Sequence, residues 1–453
     1  MPNHYPRQLI GFLLLSFYSL LLPAQSLQQE AQQALETGVA YFASIHNRGG
    51  YVFHYSLDLQ QQWGEAPLHG AAIEVQPPGT PAVGMVFLQA YQSTGDSVAL
   101  LAAMRAATAL IQGQNEWGGW GHTIRFQGES PHHVSFDDDQ TQSAIRFLMA
   151  MDASVSDDSL HQATLRALEL MLKSQLPLGG WPHRYPRQGN YHDYATYNDG
   201  GMRDCIQLMR IAAKQYEDPR YRASLEKAGR YLMRSQLPPP SPGWAQQYNE
   251  FLAPAWARSF EPPSVCPSVS LDNCHLLMDL YLDTGRKWYL EAIPDAIRWM
   301  ETVRLPNGKW PRFVELYTNE PLYYDRDRIA VDSLNQLSDE RRLGYRYEQN
   351  LANGLAEVKN RFQSIRMTNR ESMIAWEQQP AWELSLEELE TNLQAIIQEQ
   401  DEQGRWITYQ DKFKHKVPGQ LWDGTYQVQN RISSQVFIRN VQLLCEYLER
   451  VRQ

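Results

Sequence analysis

The sequence predicts an all-α protein whose helical hairpins pack side by side in a solenoid or a closed (α/α) toroid. Two observations support this prediction: one phrase recurs along the chain, and apolar residues between its copies follow helical spacing. Each copy runs from an amphipathic stretch through a Gly-containing turn to an aromatic residue. A recurring unit of this length is typical of repeat folds, in which each hairpin buries one face against its neighbours.

The recurring phrase is clearest in Ala107–Trp120 and Leu168–Trp181. Further copies end at Trp244, Trp310 and Trp406, and a degenerate early copy ends at Tyr51. The Trp positions are 61, 63, 66 and 96 residues apart. Sixty-odd residues hold two helices and their connections, because helices average about 11–12 residues with a long tail. The wide last interval predicts an insertion at about residues 319–354.

Apolar residues between the turns recur at the spacing of a helix. Within residues 139–151, Ile145, Leu148 and Met149 fall on one face, and residues 199–213 and 431–449 show the same pattern. Glycine in the turns suits a helix C-terminus, and the aromatic residue that follows can pack back over the hairpin. These apolar stripes are core faces, so we expect the helices to carry the site rather than to form it.

Residues 1–26 are predicted to be a secretory signal peptide. Arg7 precedes an apolar run from Leu9 to Pro23, and the small residues Ala24 and Ser26 allow cleavage. The run is shorter than the roughly 20 residues that cross a bilayer, although an uncleaved anchor is the alternative. We therefore expect residues 27–453 to form a single secreted or periplasmic domain with no membrane attachment after cleavage.

Composition limits the classes of partner. The formal net charge of −10 argues against nucleic acid. An acidic protein that binds a polyanion needs a local concentration of positive charge, which Arg side chains, a metal or both can supply. No partner protein is indicated, and we expect a monomer.

The four cysteines, at positions 205, 266, 274 and 445, show no spacing of the paired-cysteine metal type. Cys266 and Cys274 are close enough in sequence to bridge a loop. An exported chain of this size permits such a disulfide without requiring it.

Four segments between the predicted helices are richer in polar and aromatic residues than turns require: 135–142, 179–202, 254–264 and 310–328. Three adjacent carboxylates in the first, Asp137 to Asp139, repel one another unless solvent or a cation neutralises them. They either cap a helix or contribute oxygen ligands to a hard cation such as calcium. Arg258 and Glu261 in the third segment, taken alone, suit a structural ion pair equally well.

Five motifs occur in the order found in one family of enzymes. They are Phe136-Asp137-Asp138 with Thr141, the run Gly179–Pro186, the run Tyr197–Met202, the run Ala257–Ser264, and the pair Arg312 and Arg326. From about residue 35 to about residue 330 the chain therefore resembles polysaccharide lyase family ten, the pectate lyases. Each motif is weakly specific, whereas the ordered set is strongly so.

The resemblance implies an (α/α) toroid with long irregular loops and a few short β-strands that form a substrate cleft. It implies calcium-assisted anti β-elimination on polygalacturonate or pectate oligosaccharides. By the same resemblance, Arg258 is the catalytic base, Arg312 and Arg326 bind substrate carboxylates, and Asp137 and Asp199 work with calcium. We assign Asp138, which adjoins Asp137, to the same metal site. We assign Trp181, His183, Arg184 and Asn198 to substrate binding because they lie in the matching loop segments.

The residue types suit this reaction. Elimination removes the proton at C5 of a uronate and expels the C4 glycosidic oxygen, so the adjacent carboxylate must be neutralised. Calcium and the forked guanidinium groups of Arg312 and Arg326 can do this. A guanidinium base needs a lowered pKa, which like charge from calcium and neighbouring arginines would provide.

The chain departs from the family pattern at Asp138-Asp139, where Gly is usual in second place, and in residues 264–270. Three alternatives therefore stand beside the lyase: a non-catalytic polysaccharide-binding toroid, an inverting glycoside hydrolase that uses Asp137 and Asp199, and a terpene-cyclase-like ring. The sequence does not distinguish cleavage within a chain from cleavage at its end.

Overall fold

A computed structural model describes residues 26–128, 130–379, 382–417 and 422–452. The predicted signal peptide lies outside these residues except for Ser26. The described chain is mainly helical with short strands, which confirms the all-α prediction. Its helices are α1 (Leu27–Ser44), α2 (Thr80–Thr94), α3 (Ser97–Gln112), α4 (Gln140–Ser154), α5 (Asp158–Ser174), α6 (Gly201–Gln215), α7 (Pro219–Arg234), α8 (Pro267–Thr284), α9 (Ile293–Thr302), α10 (Asp339–Gly344), α11 (Ala352–Met367), α12 (Arg370–Glu377), α13 (Leu386–Glu399) and α14 (Ser434–Arg450).

The helices form two concentric layers, as expected for an (α/α) toroid. Neighbours in the inner layer pack in the order α14, α2, α4, α6, α8 and α11. The outer layer follows the order α13, α1, α3, α5 and α7. Each outer helix from α3 to α7 pairs with the inner helix before it in sequence, and α9 pairs with α8. Helices near the two ends of the chain therefore meet, because α14 packs on α1 and α2.

The recurring tryptophans close the hairpins as the sequence predicts. All five are buried, and each indole Nε1–H donates to a carbonyl near the end of the preceding outer helix. These donor–acceptor pairs are Trp120 to Leu110 (2.8 Å), Trp181 to Met171 (2.9 Å), Trp244 to Leu232 (2.8 Å), Trp310 to Met300 (2.6 Å) and Trp406 to Ile396 (2.8 Å). The aromatic residue of the phrase therefore fixes each turn to its helix.

In four of the five copies, a glutamine of the phrase ties the turn to the next outer helix or to the residue before it. The Gln114 amide donates to the Gly118 carbonyl of its own turn (2.9 Å) and to the Ala163 carbonyl in α5 (3.0 Å). Gln400, in the last copy, donates to the Ala34 carbonyl in α1 (2.9 Å). The repeated hydrogen bond thus joins the last outer helix to the first and closes the outer ring.

Short antiparallel strands lie mostly before the inner helices. They are β1 (His54–Ser56), β2 (Gln62–Trp63), β3 (Pro67–Leu68), β4 (Ala72–Glu74), β5 (Thr123–Arg125), β6 (Val134–Ser135), β7 (Arg184–Tyr185), β8 (Ala195–Thr196), β9 (Gln247–Tyr248), β10 (Trp310–Pro311), β11 (Tyr323–Tyr324), β12 (Ala330–Val331), β13 (Glu348–Gln349), β14 (Ile407–Lys414) and β15 (Tyr426–Ser433). One five-stranded sheet has the order β14-β15-β1-β2-β3, and the remaining strands form pairs.

The helix boundaries differ slightly from those that the periodicity predicts. α4 begins at Gln140 and α6 at Gly201, each after a short 3₁₀ turn, and α14 begins at Ser434 because the preceding residues belong to β15. Between Trp310 and α11 the chain forms β11, β12, α10 and β13 instead of a helical hairpin. This segment includes the predicted insertion at about 319–354. Among the described helices, none combines the length and the apolar character that a membrane span needs.

Cys266 and Cys274 do not form the disulfide that their spacing would allow. All four cysteines are buried and carry free thiols. Cys266 immediately precedes α8 and Cys274 lies in its interior. Both side chains belong to the packed core, so the chain is stabilised here without a covalent bridge.

Candidate active site

Two similar turns place carboxylates at one end of the ring. The 3₁₀ turn Asp137–Asp139 lies between β6 and α4, and the 3₁₀ turn Asn198–Gly200 lies between β8 and α6. The two turns contact each other, so α4 and α6 begin at the same end of the ring. Asp138 and Asp199 both have a φ of 46°. This left-handed conformation is uncommon outside glycine and often marks functional sites.

Three of the predicted metal ligands meet in an acidic cluster. Carboxylate oxygens of Asp137, Asp138 and Asp199 all lie within 4.8 Å of one another. Burial, followed by the charges of Asp137 and Asp199, raises the pKa of Asp138 to about 7. Loss of hydration, followed by the charge of Asp137, also raises the pKa of Asp199. Part of the Asp199 side chain nevertheless remains exposed to solvent. The buried Asp137 Oδ1 has no hydrogen-bond partner among the described residues. The arrangement suits a hard cation that takes oxygen ligands.

Asp139 does not join this cluster. Its carboxylate pairs with the Arg146 guanidinium on α4, although burial raises the pKa of Asp139 to about 6. It precedes α4 directly but makes no side-chain hydrogen bond to the helix N-terminus. The helix-cap alternative for the acidic triplet is therefore not seen, and the other two members of the triplet belong to the acidic cluster.

Arg258 is held in a two-pronged ion pair. Its Nε lies 2.8 Å from Glu261 Oε2 and its Nη2 lies 2.6 Å from Glu261 Oε1. Glu261 is buried, and the Tyr345 hydroxyl donates to it as well. Burial alone would raise the pKa of Glu261, but the Arg258 hydrogen bonds and charge lower it to about 2. The Arg258 side chain itself remains 45% exposed, so it can still be reached from the cleft.

Arg312 connects the arginines to the acidic cluster. Its Nη2 donates to Asn198 Oδ1 (3.2 Å), and Asn198 Nδ2 donates to Asp199 Oδ2 (2.6 Å). The Arg312 guanidinium also lies 4.3 Å from the centre of the Tyr345 ring. Its buried Nε has no partner among the described residues. A cavity of about 220 Å³ opens beside Asn198, Asp199 and Arg312.

Arg326 lies near Arg258 but is already paired. Its guanidinium makes two hydrogen bonds to Glu340, at 2.9 and 2.7 Å. Arg258, Arg326 and Arg341 lie 5.1, 5.3 and 4.0 Å from the centre of the Phe260 ring. These three guanidinium groups are attracted to the faces of one ring and pair with only two carboxylates, Glu261 and Glu340, so together they form a cationic wall.

His183 and Arg184 line the neighbouring loop. Burial lowers the pKa of His183, whose Nε2 lies 3.1 Å from Gln247 Oε1. The His183 ring meets Tyr191 and His192 edge to face. Burial, then the charge of Arg184, lowers the pKa of His192 to about 4. With their pKa values lowered, both histidines are neutral near pH 7.

Trp181 lies away from the cleft. The side chain is 1% exposed and its indole N–H is used by the Met171 carbonyl. We correct its assignment to substrate binding: Trp181 is the closing aromatic of a hairpin, and its surface is not available to a sugar. The same core position is taken by the tryptophan of every other copy.

The sequence analysis missed two groups of residues. Glu340, Arg341 and Tyr345 lie in or directly after α10, inside the segment treated only as an insertion. Glu65 and His122 lie beyond Asp138, where the charge of Glu65 contributes to the raised pKa of Asp138. His122 Nδ1 lies 2.7 Å from the buried Glu74 Oε2. The density of Arg and Tyr in residues 339–347 was a usable signal, whereas nothing local marked Glu65.

Comparison with known proteins gives one family and a set of similar folds. A family model described as pectic acid lyase matches residues 125–309 and 304–356, together more than half of the chain. A family 10 polysaccharide lyase from Cellvibrio cellulosa has a similar structure, with 20% identity and a TM-score of 0.51 over 63% of this chain and 98% of that one. A mutant of the family 10 lyase from that organism, in complex with trigalacturonic acid, shows 21% identity and a TM-score of 0.51 over 62% and 97%. No curated protein matches the chain by sequence.

Proposed function

The chain belongs to the pectic acid lyase family and is a polysaccharide lyase, and from that premise we propose that it cleaves polygalacturonate by calcium-assisted anti β-elimination. The observation that carries this proposal is the convergence of Asp137, Asp138 and Asp199 with Arg258 and Arg312 at one end of the ring. A chain with a net charge of −10 binds a polyanion only where positive charge is concentrated. The cationic wall and a cation on the acidic cluster would supply it.

The carboxylate spacing argues against the inverting hydrolase that the sequence left open. An inverting hydrolase needs its two carboxyl groups about 6.5–9.5 Å apart, with a water molecule between them. The Asp137 and Asp199 oxygens lie within 4.8 Å of each other, which leaves too little room for that arrangement.

The acidic cluster fits calcium. Three clustered carboxylates, one with an unpartnered buried oxygen and one with a pKa raised to about 7, are relieved by a divalent cation that accepts six to eight oxygen ligands. Calcium bound here would neutralise the uronate carboxylate and so acidify the proton at C5. Asp137, Asp138 and Asp199 are the residues that would hold it.

Arg312 and Arg326 contribute unequally to carboxylate binding. The Arg312 guanidinium makes no ion pair among the described residues, its one side-chain hydrogen bond is to Asn198, and through Asn198 it is linked to Asp199. A guanidinium fork binds a carboxylate with two hydrogen bonds and orients it. Arg326 has its fork occupied by Glu340, so it adds mainly charge unless that pair opens.

We assign the proton transfer to Arg258. The C5–H and C4–O bonds break, a C4–C5 double bond forms, Arg258 accepts the C5 proton and passes it to water, and water protonates the departing oxygen. Burial alone would lower the pKa of Arg258, but the hydrogen bonds and charge of Glu261 outweigh it and raise that pKa. Asp199 is one of the charges that keep it raised. A cation on Asp199 removes this contribution, so activity should require both calcium and alkaline pH.

We also place the activity outside the cytoplasm. The basic, apolar and small-residue pattern of residues 1–26 supports export, and a polymeric substrate is met outside the cell. N-terminal sequencing of the protein from the culture medium tests this, with a mature terminus near residue 27 as the expected result.

The proposed reaction is tested by the ultraviolet absorbance of unsaturated uronides on polygalacturonate at alkaline pH. We expect calcium to support the absorbance rise and a chelator to abolish it. Arg258→Ala should lower kcat by about 1,000-fold or more, with KM changed little, because an acid–base group acts in the transition state. Arg258→Lys should recover part of the rate, since an amine loses its proton more readily than a guanidinium.

The matched control is Arg298→Ala on the outer helix α9. Arg298 pairs with Asp295 three residues away, as Arg258 pairs with Glu261, but it is exposed and lies on a helix that contributes no residue to the site. Its activity should equal that of the parent. New reducing ends without absorbance, or an unchanged rate in Arg258→Ala, would overturn the proposal.

A further inference from the structure

The hairpin formed by β14 and β15 stands beside the site although it lies outside the residues that match the family model. That match ends at residue 356, whereas the hairpin strands are Ile407–Lys414 and Tyr426–Ser433. The strand β15 pairs with β1, and β2 and β3 extend the sheet. This sheet therefore combines strands from both ends of the described chain. It forms a wall next to the site, whose residues lie mostly in the segment that matches the family model.

One flank of the hairpin contacts the acidic side of the site. Lys416 Nζ lies 3.9 Å from Glu65 Oε2 in the turn between β2 and β3. Glu65 is near enough to Asp138 for its charge to raise the pKa of that carboxyl. The Glu65 oxygen that Lys416 approaches also lies 3.9 Å from His122 Nε2, so this flank of the hairpin belongs to the Glu65 and His122 side of the site.

A second contact joins the hairpin to the part of the site that contains Arg258 and Arg312. Lys414 Nζ lies 3.9 Å from the position that a side-chain carbon on Gly344 would occupy. Gly344 ends α10 and is followed by Tyr345, which packs against Arg258 and Arg312. The two contacts join the hairpin to two separate elements, the turn between β2 and β3 and the end of α10. The hairpin therefore connects the segment before α2 with the segment that carries Tyr345.

The hairpin is anchored as a fixed wall. Arg431 in β15 is buried, pairs with Asp411 in β14, and lies 3.7 Å from the centre of the Phe413 ring and 5.5 Å from that of Trp63. These contacts tie both hairpin strands to β2. An ion pair packed between two rings leaves little freedom for the base of the hairpin to move.

We propose that the β14–β15 hairpin closes one end of the cleft, and that Lys414 and Lys416 bind the carboxylates of the last uronates of the chain. This inference rests on the proposed function. Cleavage inside a polymer requires a cleft that is open at both ends, whereas a wall leaves room for a fixed number of sugar units beyond the scissile bond. Two lysines on the wall of an acidic protein complement the charge of a polyuronate end. The enzyme then acts at chain ends and releases a product of one short length.

The size distribution of the earliest products tests the inference. Polygalacturonate is incubated with the full chain and calcium, and products are separated at a few per cent conversion while viscosity is followed. We expect one predominant short unsaturated oligomer and a slow fall in viscosity relative to absorbance. An early ladder of mixed lengths with a rapid fall in viscosity overturns the inference while leaving the proposed lyase function intact. Absence of any unsaturated product overturns the proposed function itself.

Lysine variants localise the effect. Lys414→Ala and Lys416→Ala, singly and together, should raise KM for tetragalacturonate, by roughly tenfold in the double variant, with kcat changed less than about twofold, because a charge-assisted contact is lost in substrate binding. The matched control is Lys412→Ala. Lys412 and Lys414 each lie 4.6 Å from an aromatic ring centre of the same hairpin, but no contact joins Lys412 to α10 or to Glu65 among the described residues. Equal KM values in the double variant and the control would overturn the assignment of these lysines.

Discussion

The turn before α4 and the turn before α6 are two copies of one backbone with different surroundings. Asp138 has φ and ψ of 46° and 38°, and Asp199 has 46° and 35°. A buried aromatic residue, Phe136 or Tyr197, precedes each turn. The two aspartates are 61 residues apart, which is also the distance between Trp120 and Trp181. The helical repeat therefore places both carboxylates at the rim of the ring.

The copies differ in the third residue and in the charges that face them. The first has Asp139 at a φ of 59°, paired with Arg146, where the second has Gly200 at a φ of 78°. The charges of Glu65 and His122 affect the pKa of Asp138, whereas those of Arg312 and Arg258 affect the pKa of Asp199. The repeat thus fixes the position of each carboxylate, and segments outside the repeat supply the charged side chains around it.

The largest expected effect follows from this difference in charge. Asp199→Ala removes the carboxylate that lies between the cation site and Arg312, so kcat/KM should fall about 1,000-fold. Asp138→Ala removes a ligand on the far side, so the fall should be nearer 100-fold and should be partly reversed by excess calcium. Initial rates over a calcium titration measure both.

Asp295→Ala on α9 is the control for this pair, because its carboxylate is exposed and belongs to the outer layer. Equal losses with the same calcium dependence in the two site variants would show that the two turns act alike, contrary to the comparison.

The helical repeat could be predicted from the sequence because the residues that produce each turn lie within that turn. The Trp, Gln and Gly of each phrase serve the turn that contains them, so their spacing reports the hairpins directly. The contributions of Asp137, Asp138 and Asp199 to one cluster were also accessible, because similar turns in consecutive repeats meet at the same end of the ring. Membership in the family was correctly predicted from the order of the motifs.

What the sequence did not reveal depends on contacts between distant segments. Trp181 stands in a loop rich in binding residues, yet its repeat position commits it to the core. Tyr345 lies in a segment that breaks the repeat, so no periodicity pointed to its place between Arg258 and Arg312. The charge of Glu65 acts on Asp138 because α2 packs on α4, a contact between distant segments that no local pattern records.

Exchanging the third residue between the turns gives the next largest effect. Gly200→Asp places a side chain at a φ that favours glycine, where it meets the Asp204 carboxylate and the Arg203 guanidinium. We expect a loss of roughly 1–2 kcal/mol in the free energy of unfolding. Asp139→Gly removes similar backbone strain but leaves Arg146 unpaired, so the change should stay within about 0.5 kcal/mol. Urea unfolding in chelator compares them, and equal changes would contradict the difference drawn between the turns.

The smallest effect concerns stability against pH in the absence of calcium. The pKa of Asp138 is raised from 3.8 to about 7 in the folded protein. A carboxyl with a raised folded pKa favours the folded state while protonated, so its contribution is complete below about pH 4 and is lost as pH rises through 7. In Asp138→Asn the side chain stays neutral at every pH, so the variant keeps this contribution to stability. Because solvent screens the partly buried group, the Tm of the variant at pH 8 should exceed that of the parent by only about 2 °C. Asp199→Asn should raise Tm less, because Arg312 and Arg258 already offset part of the repulsion there. Thermal unfolding from pH 4 to pH 8, with chelator and then with calcium, distinguishes the two turns. Calcium should restore the stability of the parent at pH 8 but have a weaker effect on either variant. A pH profile of Tm that Asp138→Asn leaves unchanged would show that the carboxylates of the first turn do not repel one another in this way.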